Sequence, residues 1–183
     1  KIIEKNLIDK ISKEKLPTSK LKINSQNHLN KNKIWDLFES QIISRQLDLK
    51  SRELKEKNKS YYTIASCGHE GNVVFADHLT EHDISFLHYR SGAFMVQHLK
   101  KKLSTEKIIK NILLSFMASE NDPISRGRHK VFASYDLNTP PQTSTIGSHL
   151  PKAVGCALGI VRAKELKLDS PLHKNSLVFC NFG

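Results

Sequence analysis

The feature that most constrains the fold is the run Ser176-Leu-Val-Phe-Cys180, which is apolar after its first residue and leads into Asn181-Phe182-Gly183. A continuous apolar run of this length is typical of a parallel strand that is buried on both faces. In open α/β sheets, ligands bind beyond the carboxyl ends of such strands. The sequence therefore predicts an α/β fold with a parallel sheet, flanking helices and a ligand-side turn after this run.

Apolar spacing predicts the elements that precede this strand. In chain order they are a helix, a second helix, a short strand, two more helices, an irregular loop and a last helix that contains Gly155 and Gly159. Their approximate ranges are 34–57, 66–76, 84–90, 92–99, 104–116, 119–149 and from 151 onward. The face of the first helix consists of Ile34, Leu37, Phe38, Ile42 and Leu49. A loop of about 30 residues in a compact domain is usually functional or disordered, so site residues are expected there.

Positive charge is concentrated at the start of the chain. The net charge is +11, and residues 1–33 contain nine lysines but three acidic residues. This composition predicts a basic, mobile N-terminal segment, residues 1–33, with a short helix ended by Pro17, followed by a domain over residues 34–183. Two interpretations stay open. The segment is either a solvated terminus or an arm of a basic nucleic-acid-binding module.

Several classes of protein are excluded by composition. The longest apolar stretch, 153–161, is far below the roughly 20 residues that a membrane-spanning helix needs, so we expect no membrane span. The three cysteines are far apart and form no CxxC pair, which argues against a disulfide framework or a cysteine zinc site. The lead segment lacks the apolar core of a secretory signal, so we do not expect it to act as one. We therefore expect a reducing, cytoplasmic compartment.

Two motifs place polar side chains where a ligand could bind. His88-Tyr89-Arg90 ends the first predicted strand, and Arg90 offers the planar fork of donors that suits a phosphate. A packing tyrosine beside a surface arginine explains the motif equally well. The hydroxyl-rich loop 143–149 could hold a heterocycle or a monovalent cation, but ordinary helix capping by Ser148 is the simpler interpretation.

Two further motifs are weaker. Residues 126–130, Arg-Gly-Arg-His-Lys, could clamp an anion or bind RNA, or could form a solvated basic loop. His78-Leu-Thr-Glu81-His82 matches the inverted zinc-protease pattern. That pattern needs both histidines on one helical face, whereas a turn is predicted at Asp83. We therefore expect no protease site.

Six segments of the sequence are informative when their order and spacing are considered together. They are 35–45, Gly68-His-Glu-Gly71, His88-Tyr-Arg90, Gly127-Arg-His129, 144–155 and 177–183. This set resembles the α-type region of thiamine-diphosphate-dependent 2-oxoacid dehydrogenases, the decarboxylating E1 component. The stretch from 127 to 155 is most similar to bacterial branched-chain forms, including those with fused α and β regions. The resemblance covers about residues 34–183 and implies a thiamine-diphosphate-binding fold.

The resemblance also implies roles for individual residues. It implies contacts to the cofactor diphosphate from Tyr89 and Arg90, contacts to the aminopyrimidine side from Ser144 and Ile146, and a catalytic histidine near the reacting carbonyl at His129. In branched-chain members the same loop holds a potassium ion, which matches Thr143, Thr145, Ser148 and His149. An amide side chain usually occupies the last of these positions, and histidine is a poorer potassium ligand.

The remaining parts of the implied enzyme lie elsewhere. The resemblance places the Mg²⁺ ligands beyond Gly183 and the glutamate that activates thiamine diphosphate in a β region or subunit. It implies a 2-oxo acid as substrate, a lipoyl-bearing E2 component as acyl acceptor, and an oligomer. We expect residues 34–183 alone to lack catalysis and tight cofactor binding. The helix with Gly155 and Gly159 is expected to pack closely against another helix.

Overall fold

The computed structural model describes residues 2–13, 30–168 and 175–182. The chain separates into two compact units, residues 1–30 and residues 31–183. In the first unit, α1 spans Ile2–Ser12. An ion pair between Lys13 and Asp9 lies at its carboxyl end. Pro17, which was predicted to end this helix, lies outside the described residues.

The second unit contains the predicted elements in the predicted order. They are α2 Lys31–Glu56, a 3-10 helix Glu70–Asn72, α3 Val73–His78, β1 Ile84–Phe86, α4 Gly92–Leu99, α5 Thr105–Phe116, α6 Leu150–Glu165 and β2 Val178–Cys180. Residues 119–149 contain no helix or strand, only an antiparallel bridge between Ser134 and Thr139. The Ser104 hydroxyl caps α5 by accepting a hydrogen bond from the Lys107 amide.

β1 and β2 form a parallel two-stranded sheet, which confirms the α/β class. Ile84 pairs with Val178 and Phe86 with Cys180. β1 is shorter than predicted, because the chain leaves the sheet after Phe86 and residues 88–91 form a turn instead. Both strands run in the same direction, so the turn and residues 181–182 meet at one edge of the sheet.

α4 is the centre of the core, since all eight of its residues are buried. Its neighbours are α2, α3 and α5. Phe94 is fully buried and stacks on Phe179 of β2, with ring centroids 5.3 Å apart. The core thus fixes the position of the turn that precedes α4.

The buried face of α2 agrees with the predicted one at Leu37, which is buried, but differs from it elsewhere. Ile34, Phe38 and Ile42 are exposed, whereas Ser40, Ser44 and Ser51 are buried. The reason is close packing against α4: a Cβ added at Gly92 would lie 2.7 Å from the Ser44 hydroxyl oxygen. Ser40 is satisfied in this contact because its hydroxyl donates to Gln97 at 2.6 Å. Small polar side chains therefore occupy the interface that apolar ones were expected to form.

Two helix starts also differ from the sequence interpretation. The second helix was predicted from Ser66, but α3 begins at Val73 after the 3-10 helix. The prediction that Ser148 caps α6 was wrong. His149 is the N-capping residue, and its side chain makes no capping hydrogen bond. Among the described residues, no helix is both long and apolar enough to cross a bilayer.

Candidate functional site

A pocket lies where the strand ends and the loop before α6 meet. His88, Tyr89 and Arg90 line it from the turn after β1, and Phe182 lines it from the chain after β2. The loop contributes Thr143, Thr145, Ile146, Gly147 and His149. Six of the nine residues implied by the resemblance therefore line a single pocket: Tyr89, Arg90, Thr143, Thr145, Ile146 and His149.

Arg90 gives the pocket its charge. Among the described lining residues it is the only one that is always cationic, and none carries a carboxylate. Its Nη1 donates to the Ala65 carbonyl at 2.6 Å, and its guanidinium carbon lies 5.3 Å from the centre of the Tyr89 ring. A guanidinium has five N–H donors, so this anchor leaves donors for an anionic ligand. The charge of the described lining residues therefore favours an anion.

His88 adds a second donor that the sequence did not reveal. Its Nδ1 accepts a hydrogen bond from the Arg90 amide at 3.1 Å, so a neutral ring must carry its proton on Nε2. Burial, together with His69 and His149 nearby, lowers the pKa of His88 to about 4, although Asn181 opposes the shift. The ring is therefore neutral at pH 7. Its buried Nε2 has no partner at full hydrogen-bonding geometry among the described residues, although the Asn181 side chain is near enough to raise the pKa of the ring as a hydrogen-bond partner does.

The hydroxyl-rich loop folds back on itself. The hydroxyl oxygens of Thr143 and Ser148 lie 3.2 Å apart, and the Thr145 amide donates to the Thr143 hydroxyl at 3.4 Å. Ser144 does not line the pocket but a smaller neighbouring one, which also includes Tyr89. The loop therefore presents hydroxyls near the pocket, and the potassium site stays a prediction.

His149 is held by the sheet. It is buried, and its Nε2 donates to the Asn181 carbonyl oxygen at 2.8 Å. This bond ties the start of α6 to the end of β2. A ring nitrogen that carries a proton and donates it cannot ligate a cation, so His149 does not supply Nε2 to a potassium ion.

His129 lies on the irregular loop and is exposed. Its amide donates to the Ser125 hydroxyl at 3.1 Å, and that hydroxyl donates to the His129 carbonyl oxygen. The structure does not place His129 among the residues that line the pocket. Its catalytic role stays a prediction that the resemblance alone supports.

The two weaker motifs behave differently from each other. His78 ends α3 and His82 lies in the following turn, so the two do not share a helical face. Across the described ranges, no group of three or more His, Cys, Asp or Glu side chains could hold a metal ion. Arg126 and Arg128 are exposed, as expected of a basic loop. The neighbouring Lys130 is not solvated in this way.

Lys130 belongs to the basic motif of residues 126–130, but sequence reasoning missed its aromatic surroundings. Its Nζ lies 3.6, 4.5 and 5.4 Å from the ring centres of Phe132, Tyr62 and Phe116. It also donates to the Tyr89 carbonyl at 3.4 Å, which connects it to the turn that carries Arg90. The aromatic residues near it in sequence were the only available signal.

Comparison with known proteins adds no assignment. No family model matches the chain, and no curated protein matches it significantly.

Proposed function

We propose that this chain is the N-terminal part of the α region of a 2-oxoacid dehydrogenase E1 component. The intact enzyme would use thiamine diphosphate and Mg²⁺ to decarboxylate a 2-oxo acid and pass the acyl group to a lipoyl arm. The observation that carries the proposal is the pocket that gathers six of the implied residues at the carboxyl ends of two parallel strands. The proposal includes a cytoplasmic location. The three cysteines are free thiols, which suits a reducing compartment.

The diphosphate end of the cofactor would bind at the part of the pocket formed by the turn after β1. Arg90 would donate charge-assisted hydrogen bonds, and the Nε2–H of His88 would donate another. The pocket also lies at the start of α6, where the helix dipole favours negative charge. These features select an anion independently of the resemblance.

The heterocyclic end would lie against the loop before α6. The Ile146 side chain is 71% exposed and lines the pocket, which gives a flat ring an apolar surface to cover. When bound, thiamine diphosphate supplies the carbanion chemistry, and the residues described here bind and orient it. The Mg²⁺ ligands and the activating glutamate are proposed to lie beyond Gly183 and in the β region, as the resemblance implies.

The exposed side of α6 fits the proposed association with a β region or a second copy. Val154, Leu158 and Val161 are 69%, 58% and 51% exposed, although all three are apolar. No other group of the described chain lies within 4 Å of a Cβ added at Gly155 or Gly159. This outer face of α6 is therefore free for the close packing that its glycines predicted.

Replacing Leu158 with glutamate is expected to weaken self-association of the chain. Burying a leucine is worth roughly 1.5–3 kcal/mol, so its loss should weaken association about tenfold or more. Sedimentation over a concentration series measures the change. Lys152→Glu is the control, since it places the same side chain at an exposed polar position of α6. Equal association constants for wild type and Leu158→Glu would show that this face does not mediate association.

Titration of the 183-residue chain with thiamine diphosphate, followed by amide NMR, tests the proposed function. We expect weak, saturable shifts in residues 88–90 and 143–149. Inorganic diphosphate should shift the 88–90 amides, whereas thiamine without its diphosphate should leave them unchanged. Shifts confined to the basic N-terminal segment, or identical responses to all three compounds, would contradict the assignment.

A further inference from the structure

Lys130 occupies an environment that a surface lysine does not share. Its Nζ is surrounded by the rings of Tyr62, Phe116 and Phe132, and its one hydrogen bond, to the Tyr89 carbonyl, is long at 3.4 Å. Within the described ranges, no carboxylate oxygen forms an ion pair with this nitrogen. Lys130 is half-buried, so its ammonium form has lost part of its hydration, and no close anion within those ranges compensates for that loss.

The surroundings of Lys130 favour its neutral amine form more than the surroundings of an ordinary surface lysine do. Burial lowers the pKa of Lys130 to about 7, and Asp48 opposes the shift only in part. Asp48 is itself buried, which raises its pKa, and its carboxylate accepts a hydrogen bond from the Ser66 amide. Tyr62 is neutral because burial raises its pKa to about 12. The faces of the three rings attract the ammonium and act in the same direction as Asp48.

A cavity gives access to this environment. Its volume is about 240 Å³, and it lies between α4, α5 and the irregular loop, with Lys130 in its wall. Most of its lining is apolar, including Met95, Leu99, Ile112 and Phe132. A cavity of roughly 150 Å³ holds a benzene molecule, so this one has room for a small apolar group. Lys130 also lines the smaller pocket beside Tyr89.

We propose that Lys130 is a covalent binding site for small apolar aldehydes or ketones, which form a Schiff base with Nζ while their apolar group occupies this cavity. The lone pair of Nζ attacks the carbonyl carbon and the carbonyl oxygen takes up a proton. The resulting carbinolamine then loses the hydroxyl and a nitrogen-bound proton as water, leaving a carbon–nitrogen double bond. No oxidant or reductant is consumed. Desolvated lysines in apolar pockets are suited to this chemistry. Lys130 does not line the proposed cofactor pocket, and the proposal does not rest on the proposed function.

Reductive trapping of the folded chain with butanal tests the proposal. Cyanoborohydride supplies the hydride that converts the imine to a stable secondary amine, and peptide mass mapping locates the adduct. At pH 7 the neutral fraction of Lys130 should exceed that of an exposed lysine by about a thousandfold. Because a less basic amine is less nucleophilic, we expect labelling of Lys130 at least about tenfold faster than that of any exposed lysine. The ratio of the Lys130 rate to that of an exposed lysine should be largest at or below about pH 7 and should shrink toward about pH 10, where both amines are neutral.

Three controls separate this site from general lysine reactivity. Lys107 lines the same cavity but is exposed, so Lys107→Arg should leave labelling of Lys130 unchanged. Lys130→Arg keeps a cation near the rings and should abolish the fast adduct. Unfolding the wild-type chain in urea should remove the enrichment, which tests the environment without a variant. Mapping also separates Lys130 from the α-amine, which ordinarily titrates near about pH 8. Labelling of Lys130 no faster than the exposed lysines, or a rate that rises only above about pH 9, would overturn the proposal.

Discussion

In the proposed E1 enzyme, assembled with its proposed β region, replacing Arg90 with alanine is expected to weaken thiamine diphosphate binding about ten- to a hundredfold. The guanidinium lies in the pocket wall, and charge-assisted hydrogen bonds are worth roughly 1.5–3 kcal/mol. Arg90→Lys should also lose affinity, because an ammonium cannot reproduce the bidentate fork. Calorimetric titration with thiamine diphosphate and Mg²⁺ measures both changes.

Arg128→Ala is the matched control for this prediction. Arg128 lies on the exposed loop, outside the pocket lining, and its removal subtracts the same charge from the chain. Arg90 also holds the Ala65 carbonyl, so thermal unfolding of each variant must accompany the titration. A dissociation constant for Arg90→Ala equal to that of wild type, in a folded protein, would remove Arg90 from the cofactor site.

Replacing Phe94 with alanine is expected to have the largest effect on stability. The side chain is fully buried at the centre of α4, stacks on Phe179 and lies 5.3 Å from the His98 ring. Truncating a buried phenylalanine typically costs about 3–5 kcal/mol, through lost burial and the cavity that remains. Urea unfolding of the two proteins measures the difference in the free energy of unfolding.

Phe38→Ala is the control for the core substitution. Phe38 is 46% exposed on α2, so the same truncation should cost much less there. Similar losses for Phe94→Ala and Phe38→Ala would mean that α4 is not the centre of the core. The position of the turn before α4, and with it the geometry of Arg90, would then need another explanation.

The order of elements could be predicted because their patterns are local. The range of α4 was predicted to the residue. β2 lies in the unbroken apolar run that predicted it, but its three residues are only partly buried, not buried on both faces as expected. The buried face of α2 could not be predicted, because it depends on Gly92 and the serines that meet it across the interface. An isolated sequence shows Ile34 and Phe38 as core candidates, and only the packing partner decides otherwise.

The site could be predicted in part, because residues that follow neighbouring parallel strands lie close together. Tyr89 and Arg90 follow one parallel strand and Phe182 the other, so their convergence is a consequence of topology. The donor on His88 depends on which ring nitrogen accepts the Arg90 amide, and the state of Lys130 depends on rings from three separate segments. Neither property produces a residue spacing that can be recognised in the sequence.

The central claim is that the pocket between the strand ends binds thiamine diphosphate in one orientation. Isotope-filtered NMR on the labelled chain with the unlabelled cofactor tests this most directly, since it reports which protons are in contact. The account predicts nuclear Overhauser effects between the aminopyrimidine methyl group and the methyl groups of Ile146, together with diphosphate-dependent shifts of the Arg90 side chain. Contacts from the cofactor to the cavity beside α5 or to the N-terminal segment, with none to Ile146, would contradict it.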